Sequence, residues 1–175
     1  MCEIFISHIH EDEQVANALS RFLGEKLNTT LMSSQQAKPR IQIFLSENPF
    51  QILLGEDWLK KIHSALNFSK VVIALFSDKA LTRPWVHFEA GGAWFSEKVL
   101  IPVCLGNLDP ANLPKPYSNI QGCNLHESGS PYYLVQSTWK VLRPSFFPPP
   151  PCFDDKDEKA LQNSLSLWQS GQSED

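Results

Sequence analysis

Val71-Val72-Ile73-Ala74-Leu75-Phe76-Ser77, followed after a short gap by Pro84-Trp85-Val86-His87-Phe88-Glu89, decides the fold of this chain. The first run is apolar up to Phe76, as a strand covered on both faces of a sheet must be. The second opens with a proline, which suits the first turn of a helix. It then sets Trp85 and Glu89 at i and i+4, on one helix face. The chain also begins with such a unit: Ile4-Phe5-Ile6-Ser7-His8 runs directly into a helical pattern. Alternating strands and helices point to a parallel sheet covered by helices.

Working outward, the first strand is expected over Glu3–Ser7. His10-Glu11-Asp12-Glu13 then supplies acids to a helix's first turn, where the dipole favours them. Val15, Leu19, Phe22 and Leu23 recur at helical spacing and form its buried face. The polar stretch from Asn28 to Arg40 reads as a helix extension or a surface loop. A second strand, Ile41–Leu45, ends in the turn cluster Ser46-Glu47-Asn48-Pro49. Gly55-Glu56-Asp57 opens a second helix with Leu59, Ile62 and Leu66 on one face. The third strand is followed by a helix from Trp85 to Ser96, in which Gly91-Gly92 implies close approach of another backbone. The fourth strand is Val99–Leu105, where Pro102 points to an edge position or a local irregularity. A loop from Asn107, a short fifth strand near Cys123–Leu125 and a helix over Pro131–Leu142 complete a domain of residues 1–143. Residues 144–175 begin with a spacer carrying five prolines, stiff and extended. They end in a short amphipathic helix with Leu161, Leu165 and Trp168 on one stripe, which docks back on the domain or meets a partner.

Composition excludes several classes of function. The 175 residues, with 42% hydrophobic and 19% charged, are those of a globular protein able to bury a core. A formal net charge of -4, with basic residues scattered, argues against nucleic acid as a partner. No run approaches the ~20 apolar residues that span a bilayer, so no membrane partner is expected. The N-terminus shows no signal peptide, and a cytoplasmic location follows. Cys2, Cys104, Cys123 and Cys152 form no C-x-x-C pair and read as reduced thiols, not a zinc or redox site. His8 and His10 have no ligand spacing worth a metal site.

Four segments carry a family resemblance. They are Phe5-Ile6-Ser7-His8 with its acidic helix start, Gly55-Glu56-Asp57, the Trp85 to Glu89 stretch after Ala74-Leu75-Phe76-Ser77, and Val99-Leu100-Ile101-Pro102-Val103 with Leu113-Pro114-Lys115-Pro116. Their order resembles a bacterial TIR domain over roughly Glu3 to Leu142. The resemblance implies an α/β, flavodoxin-like fold with a five-stranded, mainly parallel sheet and helices on both faces. Its Trp-x-x-x-Glu motif is similar to that of TIR domains that cleave NAD+.

In an open α/β sheet, ligands sit beyond the carboxyl ends of the strands. Those ends deliver Ser7-His8, Ser46-Glu47 and Ser77-Asp78, with a loop from Asn48 to Gly55 able to cover them. Loss of nicotinamide from NAD+ needs no general acid, because a cationic pyridine departs neutral. It needs stabilisation of an oxocarbenium-like ribosyl centre. The resemblance assigns that role to Glu89 and pocket shaping to Trp85. Ser7 and His8 would line the phosphate or ribose side, with Ser46 beside them, and Phe50 would stack on a base. Each has a plainer reading: Phe50 as a staple of its loop, Ser7 as a cap, His8 as a core histidine and Glu89 as a surface acid. His87, at i+2 from Trp85, reads as exposed.

Two classes of function therefore stand side by side. The first is an NAD+ hydrolase or ADP-ribosyl cyclase, with NAD+ as substrate, no cofactor, a role in bacterial anti-phage defence and self-association through TIR–TIR contacts. Sensing or response would lie in a separate protein. The second is a non-catalytic TIR–TIR adaptor. A nucleoside 2-deoxyribosyltransferase shares the sheet and a catalytic glutamate, but Ile6-Ser7-His8 running into an acidic helix favours the TIR reading.

Overall fold

The computed structural model describes residues 2–32, 40–47, 57–143 and 155–172. Five strands, β1 (Ile4–Ser7), β2 (Ile43–Leu45), β3 (Val71–Phe76), β4 (Val99–Cys104) and β5 (Cys123–Asn124), form one sheet. The order is β2-β1-β3-β4-β5 and every pairing is parallel. Among the described residues, five α-helices cover it: α1 (Glu13–Met32), α2 (Trp58–Phe68), α3 (Pro84–Phe95), α4 (Ser130–Leu142) and α5 (Asp155–Gln172).

The period-2 alternation of strand side chains sorts the core into two layers. Ile4, Ile6, Val71, Ile73 and Leu75 pack with α1, α4 and α5 on one face. Phe5, Val72, Ala74 and Phe76 pack with α2 and α3 on the other. All six residues of β3 are buried, as expected for the central strand. Phe5 and Phe44 stack across β1 and β2 at 5.6 Å.

Several expectations are corrected. Pro102 does not mark an edge: β4 lies between β3 and β5. The proline is tolerated because pairing with β5 begins only at Val103. The Pro102 carbonyl faces Gly122, where an added Cβ would lie 2.6 Å from it. The missing N–H, on the same side of the strand, therefore falls where there is no ladder to complete. β2 starts two residues later than the apolar run because the Ile41 N–H donates to the Asn28 side chain at 2.8 Å. The polar stretch continues α1 as far as Met32, and residues 33–39 lie outside the described residues. In α2, Asp57 caps the first turn by accepting from the Lys60 N–H. Its buried face is Ile62 and Ala65, while Leu59 is exposed. Among the described residues, no backbone approaches the Cβ positions of Gly91 or Gly92: Gly91 has no neighbour there and Gly92 faces the Leu66 side chain.

The C-terminal stripe docks on the domain. Leu161, Leu165 and Trp168, one per turn of α5, are buried in the layer formed by α1 and α4. The proline spacer lies outside the described residues, as does Cys152. Among the described cysteines, Cys104 and Cys123 are buried and unpaired, and burial pushes their thiols up to about 12 and about 11.

Candidate active site

Ser7 is the last residue of β1, and parity with Phe5 aims its side chain at the α2–α3 face. There α3 presents Glu89, buried at 1% exposure despite its charge-bearing group. The Ser7 hydroxyl donates to Glu89 Oε2 at 2.5 Å. Glu89 Oε1 has no partner among the described residues. Burial pushes the Glu89 carboxyl up to about 8, against the lowering influence of Ser7, Trp85 and Ser46. A carboxyl in that state is neutral at pH 7 and titrates within the physiological range.

Ser46, directly after β2, links the ends of two strands. Its hydroxyl accepts from the His8 N–H at 3.2 Å and donates to the His8 carbonyl at 3.4 Å. The His8 imidazole is fully buried, with Nδ1 at 3.4 Å from the Ile6 carbonyl. Burial lowers it to about 4, so the ring is neutral. His8 Nε2 and Trp85 Nε1, like Glu89 Oε1, have no hydrogen-bond partner among the described residues. Buried polar groups are normally satisfied, and two of these open atoms, on Trp85 and Glu89, lie one turn apart on α3.

The Trp85 ring is half-buried between aromatic neighbours, Trp58 at 4.8 Å and Phe88 at 5.4 Å, both stacked. Trp58, outside the sequence motif, is a surface contributor that spacing alone did not single out. Phe50 lies outside the described residues. The structure thus brings Ser7, Ser46, Trp85 and Glu89 together, with the His8 backbone bonded to Ser46.

His87 corrects its expected exposure. It is half-buried, with Nε2 donating to the Leu81 carbonyl at 2.9 Å and Nδ1 accepting from the Tyr117 hydroxyl at 3.0 Å. It anchors the outer side of α3. Asp12 is the residue that sequence reasoning missed. Placed among acids of a helix start, it is instead fully buried in the 3-10 turn His10–Asp12. Its Oδ2 accepts from the Ser77 hydroxyl at 2.7 Å and its Oδ1 from the Trp168 indole N–H at 3.1 Å. Burial raises its carboxyl to about 6. Nothing in His10-Glu11-Asp12-Glu13 distinguishes it locally, because both of its donors are distant in sequence.

A cavity of about 590 Å³ beside Asp109, Gly122, Ser130 and Tyr133 lies at the β5 end of the sheet and shares no residue with this site. Among the described residues, no cluster of His, Cys, Asp or Glu is arranged to hold a metal ion.

A family model for the TIR domain matches residues 4–133, well over half of the chain. The chain belongs to the TIR domain family. Ser7, Ser46, Trp85 and Glu89 all fall inside the matched segment of this TIR domain, whereas α5 falls outside it. No curated protein matches the chain. Among solved structures, it is similar to the TIR domains in the structure of the activated Roq1 resistosome directly recognizing the pathogen effector XopQ. That likeness has 15% identity, covers 95% of this chain and 85% of that one, and has a TM-score of 0.42. No helix among the described residues is long and apolar enough to cross a membrane.

Proposed function

We propose that this TIR domain cleaves the nicotinamide–ribose bond of NAD+, with Glu89 as the catalytic carboxylate. The observation that carries the reading is the Glu89 carboxyl itself. It is buried at the carboxyl end of the sheet, held through one oxygen by Ser7, with the other oxygen unpartnered among the described residues.

The step balances simply. The C–N bond breaks and its electron pair returns to the pyridine nitrogen, so nicotinamide leaves neutral. The positive charge passes to the ribosyl carbon and its ring oxygen. A carboxylate facing that centre stabilises it. Water then adds and loses a proton to give ADP-ribose, or a nitrogen of the adenine closes a cyclic isomer. Glu89 must ionise to act, and a cationic substrate favours that ionised form. Binding of NAD+ therefore releases a proton near pH 7. The Ser7 hydroxyl fixes the plane of the carboxylate, the Trp85 indole N–H supplies a donor beside it, and Ser46 holds the β2 end against His8. Phe50 remains the proposed contact to a base.

The proposed setting is anti-phage defence, with self-association and a separate sensor or effector protein. The exposed face of α2 and α3 favours such contacts, since Phe88, Trp94, Phe95, Trp58 and Leu59 all present apolar surface there. That face equally favours the second reading, a non-catalytic adaptor working through protein contact alone.

Nicotinamide release from NAD+ by concentrated protein, with Glu89→Gln run alongside and products separated by chromatography, tests the proposal. Release abolished by the substitution supports it. Release that persists in Glu89→Gln, or turnover of free nucleosides instead of NAD+, would sink it.

A further inference from the structure

Trp168 lies in α5, yet its indole N–H reaches 156 positions back along the chain to Asp12. The indole also packs near Gly106 and His126, on the turns that follow β4 and β5. One residue of α5 therefore touches the carboxyl-end turns of three strands, β1, β4 and β5, and meets the end of a fourth, β3, through the carboxyl that it shares with Ser77. Two further contacts tie α5 to the same end: Gln162 donates to the Leu125 carbonyl at 3.3 Å, and the Gly129 N–H donates to Glu158 at 3.3 Å.

From Asp12, two routes lead to the helix that carries Glu89. Ser77, while donating to Asp12, accepts from the Ala80 N–H at 3.1 Å and so holds the 3-10 turn Ala80–Thr82 that feeds α3. Glu11, the neighbour of Asp12, accepts from the Arg83 guanidinium at 2.5 Å. Arg83 is the cap residue of α3. Asp12 also follows Ser7 by five positions, within the turn that leaves β1. The α5 helix thus contacts the sheet on the face opposite Glu89 and is connected to both partners of the Ser7–Glu89 bond.

We propose that Trp168 is a positioning residue for the site at Glu89: docked α5 holds, through Asp12, the turn after β1 and the start of α3 in the placement at which Ser7 meets Glu89. The effect on turnover rests on the reading of Glu89 as the catalytic carboxylate; the mechanical link does not. Loss of the indole donor leaves a buried Asp12 oxygen without a partner, and the strain falls on that turn. Displacement of a reacting group by a fraction of an ångström is expensive in rate and cheap in binding, so the signature is in kcat.

The test is Trp168→Phe in the full chain, which keeps a packed ring and removes the N–H. Backbone hydrogen exchange is followed at residues 8–13 and 83–89, with Val71–Phe76 as the reference. The expected result is exchange about fivefold faster in both windows, the effect of one lost hydrogen bond, with the reference unchanged. Nicotinamide release should show kcat lower by roughly tenfold with KM within about twofold. Unchanged exchange at 83–89, or an equal rise in the reference strand, overturns the proposal. Faster exchange in both windows in a protein whose wild type does not cleave NAD+ would leave the link standing and remove the reading of Glu89. If Trp168→Phe does not fold, Glu11→Gln tests the second route. Exchange at 83–89 should quicken while 158–171 stays protected, and no change at 83–89 refutes the coupling.

Discussion

Ser7 and Ser77 end neighbouring strands on opposite faces of one sheet, and each donates its hydroxyl to a buried carboxyl, Glu89 and Asp12 respectively. The parity of β1 sends Ser7 toward α3, and the parity of β3 sends Ser77 toward α1 and α5. Burial is the first cause of the raised carboxyl in both cases, yet Glu89 reaches about 8 and Asp12 only about 6. The two carboxyls also differ at the second oxygen. Asp12 receives the Trp168 N–H there, whereas Glu89 Oε1 has no partner among the described residues. Asp12 is held through both oxygens and Glu89 through one.

Glu89 should destabilise the folded protein as pH rises. Its folded value of about 8 lies above its ordinary 4.5, so the folded state retains a proton that the unfolded chain releases. Stability is therefore lost as pH climbs from about 4.5 to about 8, by up to ~1.4 kcal/mol per pH unit. His8, lowered to about 4, acts in the opposite sense only below its ordinary 6.5, and Asp12 titrates below about 6. Between pH 6.5 and 8 the Glu89 contribution stands apart. Thermal melts of wild type and Glu89→Gln should diverge across that window, the variant becoming the more stable while losing turnover. Parallel melting curves would contradict the raised carboxyl.

The same group should shape the rate. kcat/KM reports ionisations of the free enzyme, so nicotinamide release should rise with pH and level off above about 8. Ser7→Ala removes a donor that favours the charged form and should move the plateau to higher pH. A profile that does not shift would separate Ser7 from the titrating group.

Trp85→Phe retains an aromatic ring against Trp58 and Phe88 but deletes the indole N–H. Removal of one preorganised donor is worth about a hundredfold in kcat, with little loss of stability because that N–H has no partner among the described residues. Turnover and melting temperature measured on the same preparation check both halves.

Ser77→Ala should destabilise more than an exposed serine substitution does. It strips one donor from Asp12 and removes the cap on the Ala80 N–H. A loss of about 1–3 kcal/mol in urea unfolding is expected. The loss should be larger at pH 7 than at pH 4, because Asp12 is ionised above about 6 and then needs both donors.

The strands and the site were legible in the sequence to different depths. Val71–Phe76 announced itself because a strand covered on both sides has no polar positions to disguise it. Glu89 was legible only through the Trp85 spacing and the family likeness; its burial depends on Ser7, 82 positions away. Leu59 misled because amphipathic spacing fixes a face to within about a residue, and the packing of Ile62 and Ala65 chose the neighbouring stripe. Pro102 misled because the rule about edges concerns a missing donor, and here the donor would have had no acceptor. Asp12 could not be read at all, since its meaning arises from Ser77 and Trp168 meeting it in space.

The burial of Leu161 and Leu165 against α1 sets a rule for cutting the gene. The family-matched segment ends at residue 133, inside α4, and a fragment drawn to that boundary would break one helix and discard another. The apolar surface that Leu161 and Leu165 cover would face water, a loss of about 1.5–3 kcal/mol for each leucine, against the 5–15 kcal/mol by which whole domains hold together. The inherited module and the smallest piece that can be expected to fold are thus different lengths of chain, and the longer one must reach past Trp168.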